Sequence, residues 1–346
     1  MIHTSLEVAY IALLLLLCSG FALYETGYGV CETVVESFCK RLMTFAVSLT
    51  SFGISAVLFN PQFLANVPTI VMLLALLAVF THIVTAMTKS FAYASVIAIA
   101  VGAVIFPLML RVVSYDSAIA TYGYYDAAGS GIVHFAGAVV AFLMSAYMSK
   151  IHDWSSLSIK RPAIASLGFL CIWAAWGLFV IILSAPIIGS DPTAWIRGIV
   201  VSSTSAAWGA TASVLFSYIV LGKARVRSCT IGGLAGLVVV SADPFSINLF
   251  QAVAYGVVAG ILAVSVSQLM KRFELKDPCN VVAIHGPAGA LGVLLVSISN
   301  TSVSFTSQLH GLAVLCILSV IAAVFLCELG ASMQNYICNR SLNLQR

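Results

Sequence analysis

The sequence predicts an all-α polytopic membrane protein with about eleven transmembrane helices, and three observations predict it. Hydrophobic residues make up 61% of the 346-residue chain, its mean hydropathy is +1.07, and charged residues are only 8%, against roughly 25% in a soluble domain. The apolar residues run continuously instead of alternating, which excludes a β-barrel. At about 20 residues per crossing, the length accommodates on the order of ten to twelve spans. Sixteen basic and twelve acidic residues are too few to cover a soluble surface or to form a nucleic-acid footprint. The N-terminal apolar run lacks the basic n-region and small-residue cleavage site of a secretory signal and reads as the first span.

Cutting the apolar runs at charged, Pro, Gly and Asn clusters places spans near 5–28, 35–59, 67–86, 91–113, 128–149, 162–186, 195–221, 229–243, 247–270, 281–299 and 308–334. An odd number puts the termini on opposite sides. Lys40, Arg41, Lys89, Lys150, Lys160, Arg161, Lys223, Arg225, Arg227, Lys271, Arg272, Lys276, Arg340 and Arg346 then share one side, and only Arg111 and Arg197 fall on the other. The positive-inside rule sets the N-terminus outside and the C-terminus in the cytoplasm. The chain reads as one membrane domain, residues 1–346, of the cell membrane. The nine cysteines form no CxxC pair and read as buried free thiols.

An Asp precedes a His by eight residues twice, at Asp126 and His134 and again at Asp277 and His285, each pair opening a Gly/Ala-rich span. Those spans are the fifth and the tenth. Five crossings invert the unit that follows, so the spacing predicts inverted repeats of about 5–149 and 162–299 plus an extra helix at 308–334. Related by a two-fold in the membrane plane, His134 and His285 would meet near the centre, where paired imidazoles can fix each other's tautomers and relay a proton. Two separate packing histidines are the alternative. Asp126 can cap the fifth helix or act on a cation through its field. Glu25 and Glu328 read as interfacial or capping residues, His82 as a packing histidine, His310 as solvated, Trp154 and Trp195 as belt residues, and 202–213 as a small-residue helix contact.

Five motifs in order carry a resemblance. DAAGSGIVH (126–134), KDPCNVVAIHGPAG (276–289), GGLAGLV (232–238), YETG (24–27) and LGFLCIWAAWGLF (167–179) resemble motifs of the Amt/Mep/Rh ammonium transporters over nearly the whole chain. The resemblance implies that His134 and His285 are twin pore histidines, that Asp126 belongs to the ammonium site, that Phe179 gates the outer pore and that Trp176 is its structural neighbour. It also implies a homotrimer in the lipid bilayer with one pore per subunit, in which ammonium is recruited outside and ammonia and proton pass separately.

The chain departs from the pattern at the outer vestibule. Val180 and Leu183 stand where Asn and Ser are usual, and Ala75 and Val71 stand where Phe is expected unless Phe80 substitutes. The vestibule Trp is missing, leaving Tyr122, Tyr124 or Tyr125 to replace it. GVCETVVE (29–36) replaces a basic turn, and only about a dozen residues follow the last span, where relatives carry a tail that docks a P-II-type regulator. Two readings stay open: an ammonium channel, or an ammonium-sensing receptor domain whose fused cytoplasmic kinase or cyclase output is absent from this chain. No nucleotide, serine-hydrolase or HExxH pattern marks an enzyme, and no cofactor or metal is expected.

Overall fold

The computed structural model describes residues 2–31, 33–59, 67–113, 122–148, 161–188 and 192–344. Among them are eleven helical rods: α1 (Ile2–Gly27), α2 (Val34–Phe59), α3 (Val67–Thr85), α4 (Phe91–Val113), α5 (Ser130–Tyr147), α6 (Pro162–Ile188), α7 (Pro192–Leu221), α8 (Val226–Val239), α9 (Leu249–Arg272), α10 (Val281–Ser299) and α11 (Phe305–Leu344). Eight are long and apolar enough over their described lengths to cross a membrane, and the described parts of α1, α3 and α8 form shorter apolar helices. The expected all-α membrane fold and its eleven helices are borne out, eight of them as candidate spans. Lys150, Lys160, Trp154 and Arg346 lie outside the described residues, as do the side chains of Val71, Leu183 and Arg340.

Local chemistry sets several ends. Asn248 and Gln251 form a reciprocal capping box that starts α9, and the Ser90 hydroxyl accepts from the Tyr93 amide to start α4. α8 stops at Val239, before the expected end at 243, because its following residues turn back to bond another loop. The Ser241 and Ala242 carbonyls accept from the amides of Ala128 and Ala127 at 3.0 and 2.8 Å. α11 continues to Leu344, past the expected 334.

α1 packs along α6, and α5 meets α10. α7 and α8 approach closely enough that a Cβ on Gly209 or on Gly232 would lie 2.4 or 2.3 Å from the other's carbonyl oxygen. Ser205 donates to the Gly236 carbonyl at 2.6 Å, so the Ser-rich stretch is the helix contact it was read as. Two expectations are corrected here. Among the described cysteines only Cys18, Cys31 and Cys279 are buried, while Cys39 is exposed and four are half-buried. Thiols that face neighbouring hydrocarbon need no burial inside the protein. Glu25, Lys40 and Arg41 are fully buried instead of lying at a wet helix end.

Candidate functional site

The site begins at the entry to α5. Gly129 takes a left-handed backbone, φ +87°, which a side-chain-bearing residue adopts at a cost, and turns the chain into a π-helical turn over Ser130–Phe135. Such wide turns recur at functional sites. Oδ2 of Asp126 accepts from the free amides of Gly131 and Ile132 at 2.9 and 3.0 Å, and the Tyr124 hydroxyl donates to it at 3.3 Å. Asp126 therefore caps α5. Its Oδ1 is buried with no partner. Burial pushes the carboxyl up to about 6, against the lowering pull of the Ile132 and Gly131 amides. Ser130 adds a bond from its hydroxyl to the Val238 carbonyl at 2.8 Å, tying α5 to α8.

Asp277 repeats this geometry before α10. It accepts from the amides of Val282 and Ala283, five and six residues on, at 3.3 and 3.0 Å. Burial raises it too to about 6, opposed by those amides and by the Arg227 guanidinium. The same offsets hold for Asp126, so both histidines are launched from one local device. Pro287, two residues beyond His285 inside α10, has no N–H to return to the Ala283 carbonyl and leaves that helix locally open.

His134 and His285 meet, with ring centroids 4.9 Å apart and planes within 7°. They are 1% and 7% exposed, and Nδ1 of each has no hydrogen-bond partner. Trp176 lies 5.5 Å from His134, and Phe179 lies 5.7 Å from Trp176. Two apolar cavities flank the imidazoles. One is lined by His134, Phe179, Leu17, Leu76 and Ala128 among others; the second is lined by His285, His82, Phe21, Tyr24 and Cys279 among others. Val79 and Trp176 line both. Four of the five expected site residues thus line these two cavities, and Asp126 lines neither.

The vestibule substitutes resolve differently. Phe80 is fully buried against Phe106, 5.8 Å away, and lines neither cavity; Ala75 and Val180 are buried. Tyr124 is buried on Asp126, and Tyr122 is 73% exposed. His310 is exposed, as expected.

Sequence reasoning missed an ion cluster. Arg41 holds Glu25 with two bonds, Nε to Oε2 at 3.0 Å and Nη2 to Oε1 at 2.7 Å, and Lys40 Nζ stands 3.8 Å from Oε1. Ser37 donates to Oε2 at 3.1 Å, Arg41 Nη1 donates to Thr85 Oγ1 at 2.7 Å, and Lys40 donates to the Thr88 carbonyl at 2.6 Å. All three charged side chains are 0% exposed. This corrects the reading of Glu25 as interfacial and of Lys40 and Arg41 as surface charges. The available signal was the placement of two cations several residues inside an apolar span, where they require an acid. His82 was also underestimated: it stacks on Phe21 at 3.7 Å, and its Nδ1 has no partner.

Eleven described helices packed around two apolar cavities, with paired imidazoles between them, define a multi-pass membrane protein. The family model described as Ammonium Transporter Family matches residues 6–333, and the chain belongs to that family. A relative from Synechocystis sp. is 30% identical over 215 residues, 59% of this chain and 49% of that protein. The ammonium transporter Amt2 of Archaeoglobus fulgidus is 26% identical over 329 residues, 83% of this chain and 69% of that protein. The aligned chain thus spans only about half the length of the Synechocystis relative. Among solved structures, a sensor Amt protein superposes with TM-score 0.75 at 19% identity, covering 99% of this chain and 95% of that one. Mep2 of Candida albicans gives 0.77 at 16%, covering 92% and 82%, and Rh50 of Nitrosomonas europaea gives 0.74 at 17%, covering 93% and 88%. At these identities the likeness to the solved structures shows the fold alone.

Proposed function

We propose that the chain is an ammonium/ammonia-binding channel-type protein of the cell membrane and not an enzyme. Ammonium is recruited near Phe179, at an entrance whose architecture Asp126 sets, and ammonia and a proton pass the His134–His285 pair. The observation that carries this reading is that pair, 4.9 Å apart between two apolar cavities. A bare cation within the membrane is expensive, whereas neutral ammonia is not, so a dry lumen with imidazoles selects against potassium. The reading includes a homotrimer of inverted repeats, N-terminus out, with orientation resting on basic residues other than the buried Lys40 and Arg41.

A second reading, a receptor domain in which occupancy is signalled with little flux, is favoured by the sealed Glu25–Arg41–Lys40 cluster beside the Tyr24 cavity. Its output is a fused cytoplasmic signalling domain, whereas the channel reading leaves room for a P-II-type regulator. Ammonium-evoked current in a solid-supported membrane tests both. Currents lost in His134→Ala refute the receptor-only reading, and ammonium binding without current refutes the channel.

A further inference from the structure

We propose that His82 is a third lumen imidazole which, with His285, forms a holding site for a neutral hydrogen-bonding molecule of ammonia's size. This rests on the reading above that the lumen takes ammonium or ammonia, and adds to it what holds the molecule beyond the imidazole pair.

Two imidazole nitrogens of residues on the wall of the second cavity are buried without a partner, Nδ1 of His82 and Nδ1 of His285, and the Tyr24 hydroxyl on the same wall has Tyr28 and Thr230 beside it. The rest of the wall is largely hydrocarbon, including Phe21, Val79, Ile172 and Leu234. One orphaned polar group in a core is ordinary; two around one space leave desolvation uncompensated unless a small molecule supplies donors and acceptors. Ammonia supplies three donors and one lone pair. His82 is 2% exposed and lies face to face with Phe21, planes within 7°, so its ring is held by packing and not by bonds that compete with a ligand.

The ion cluster lies close to this space. Thr85, one helical turn beyond His82 on α3, accepts from Arg41, and Glu25 directly follows Tyr24 on α1. None of the three charged side chains meets solvent. An uncharged molecule enters an apolar space of this kind at far lower cost than a cation.

The test is solid-state NMR of the full chain in liposomes with 15N-labelled histidine, titrated with ammonium chloride at fixed pH and, separately, with potassium chloride. The proposal expects the His82 Nδ1 resonance to move with ammonium and not potassium, in step with that of His285. In His82→Phe, which keeps the stacking but not the hydrogen bond, half-saturation of the His285 shift should rise about fivefold, the worth of one hydrogen bond. His82→Gln, which restores a donor and an acceptor, should recover part of it and serves if the Phe variant misfolds. A moving His134 and His285 with a silent His82 overturns the holding site and leaves the ammonium reading standing. Equal shifts with potassium mean ordered water or ionic strength alone and overturn it too. Silence of all three histidines overturns the ammonium reading and the holding site together.

Discussion

Replacing Arg41 with Met removes one partner of a fully buried ion pair and should be among the most damaging single changes in the protein. At 2.7 Å and an effective dielectric of ~20, the Arg41–Glu25 attraction is about 6 kcal/mol gross. Most of that offsets the cost of taking both groups out of water. After the substitution Glu25 keeps Ser37 at 3.1 Å and Lys40 at 3.8 Å, a contact too long to replace a bidentate guanidinium. The expected loss is roughly 3–5 kcal/mol, the usual cost of stranding a buried charge. Glu25→Gln should cost at least as much, since it strands two cations. The triple variant Glu25→Gln/Lys40→Met/Arg41→Met should return much of the stability, because it leaves no charge behind. Unfolding in mixed micelles with increasing SDS, followed by tryptophan fluorescence, measures all of these. If Arg41→Met stays within about 1 kcal/mol of the parent, or if the single effects simply add in the combined variants, the three residues do not act as one buried unit.

Asp126→Ala should cost about 1–2 kcal/mol by uncapping α5 and should speed hydrogen exchange at the Gly131 and Ile132 amides. Asp126→Asn, which keeps an acceptor, should stay close to the parent in stability and ammonium response; a folded Asn variant that no longer responds would mean that the charge itself matters. Asp277 titrates near 6 when folded against 3.8 for a free carboxyl, so the folded form holds its proton more tightly. Its contribution is present at low pH and is lost as pH rises through roughly 4 to 6. Over that window the unfolding midpoint of the parent should fall relative to Asp277→Asn, and parallel curves would contradict the raised value. Gly232→Val forces carbon into the Gly209 carbonyl and the Ser213 side chain, so it should cost at least about 1–3 kcal/mol in the same unfolding assay. A neutral outcome would mean that α7 and α8 separate easily.

The particular residues show what was legible. The eleven spans were, because hydrocarbon thickness and backbone hydrogen bonding act on each segment alone. The paired Asp–His spacing was, because each Asp caps the helix that carries its own His, a relation closed within nine residues. The early end of α8 was not, since Ser241 and Ala242 leave the helix to bond a loop more than a hundred residues away. Nor was the lining of the lumen by His82, whose neighbours come from other helices.

The sequence by itself determined a membrane-embedded helical chain, its spans, and the candidates Asp126, His134, Trp176, Phe179 and His285. The tertiary structure alone decided that His134 and His285 meet, that Asp126 lines neither cavity beside them, and that Glu25, Lys40 and Arg41 form one buried cluster. Span length and capping are set by interactions a few residues apart. A lumen and a buried charge cluster exist only where helices distant in sequence pack together, and apolar faces that all look alike do not announce which of them will touch.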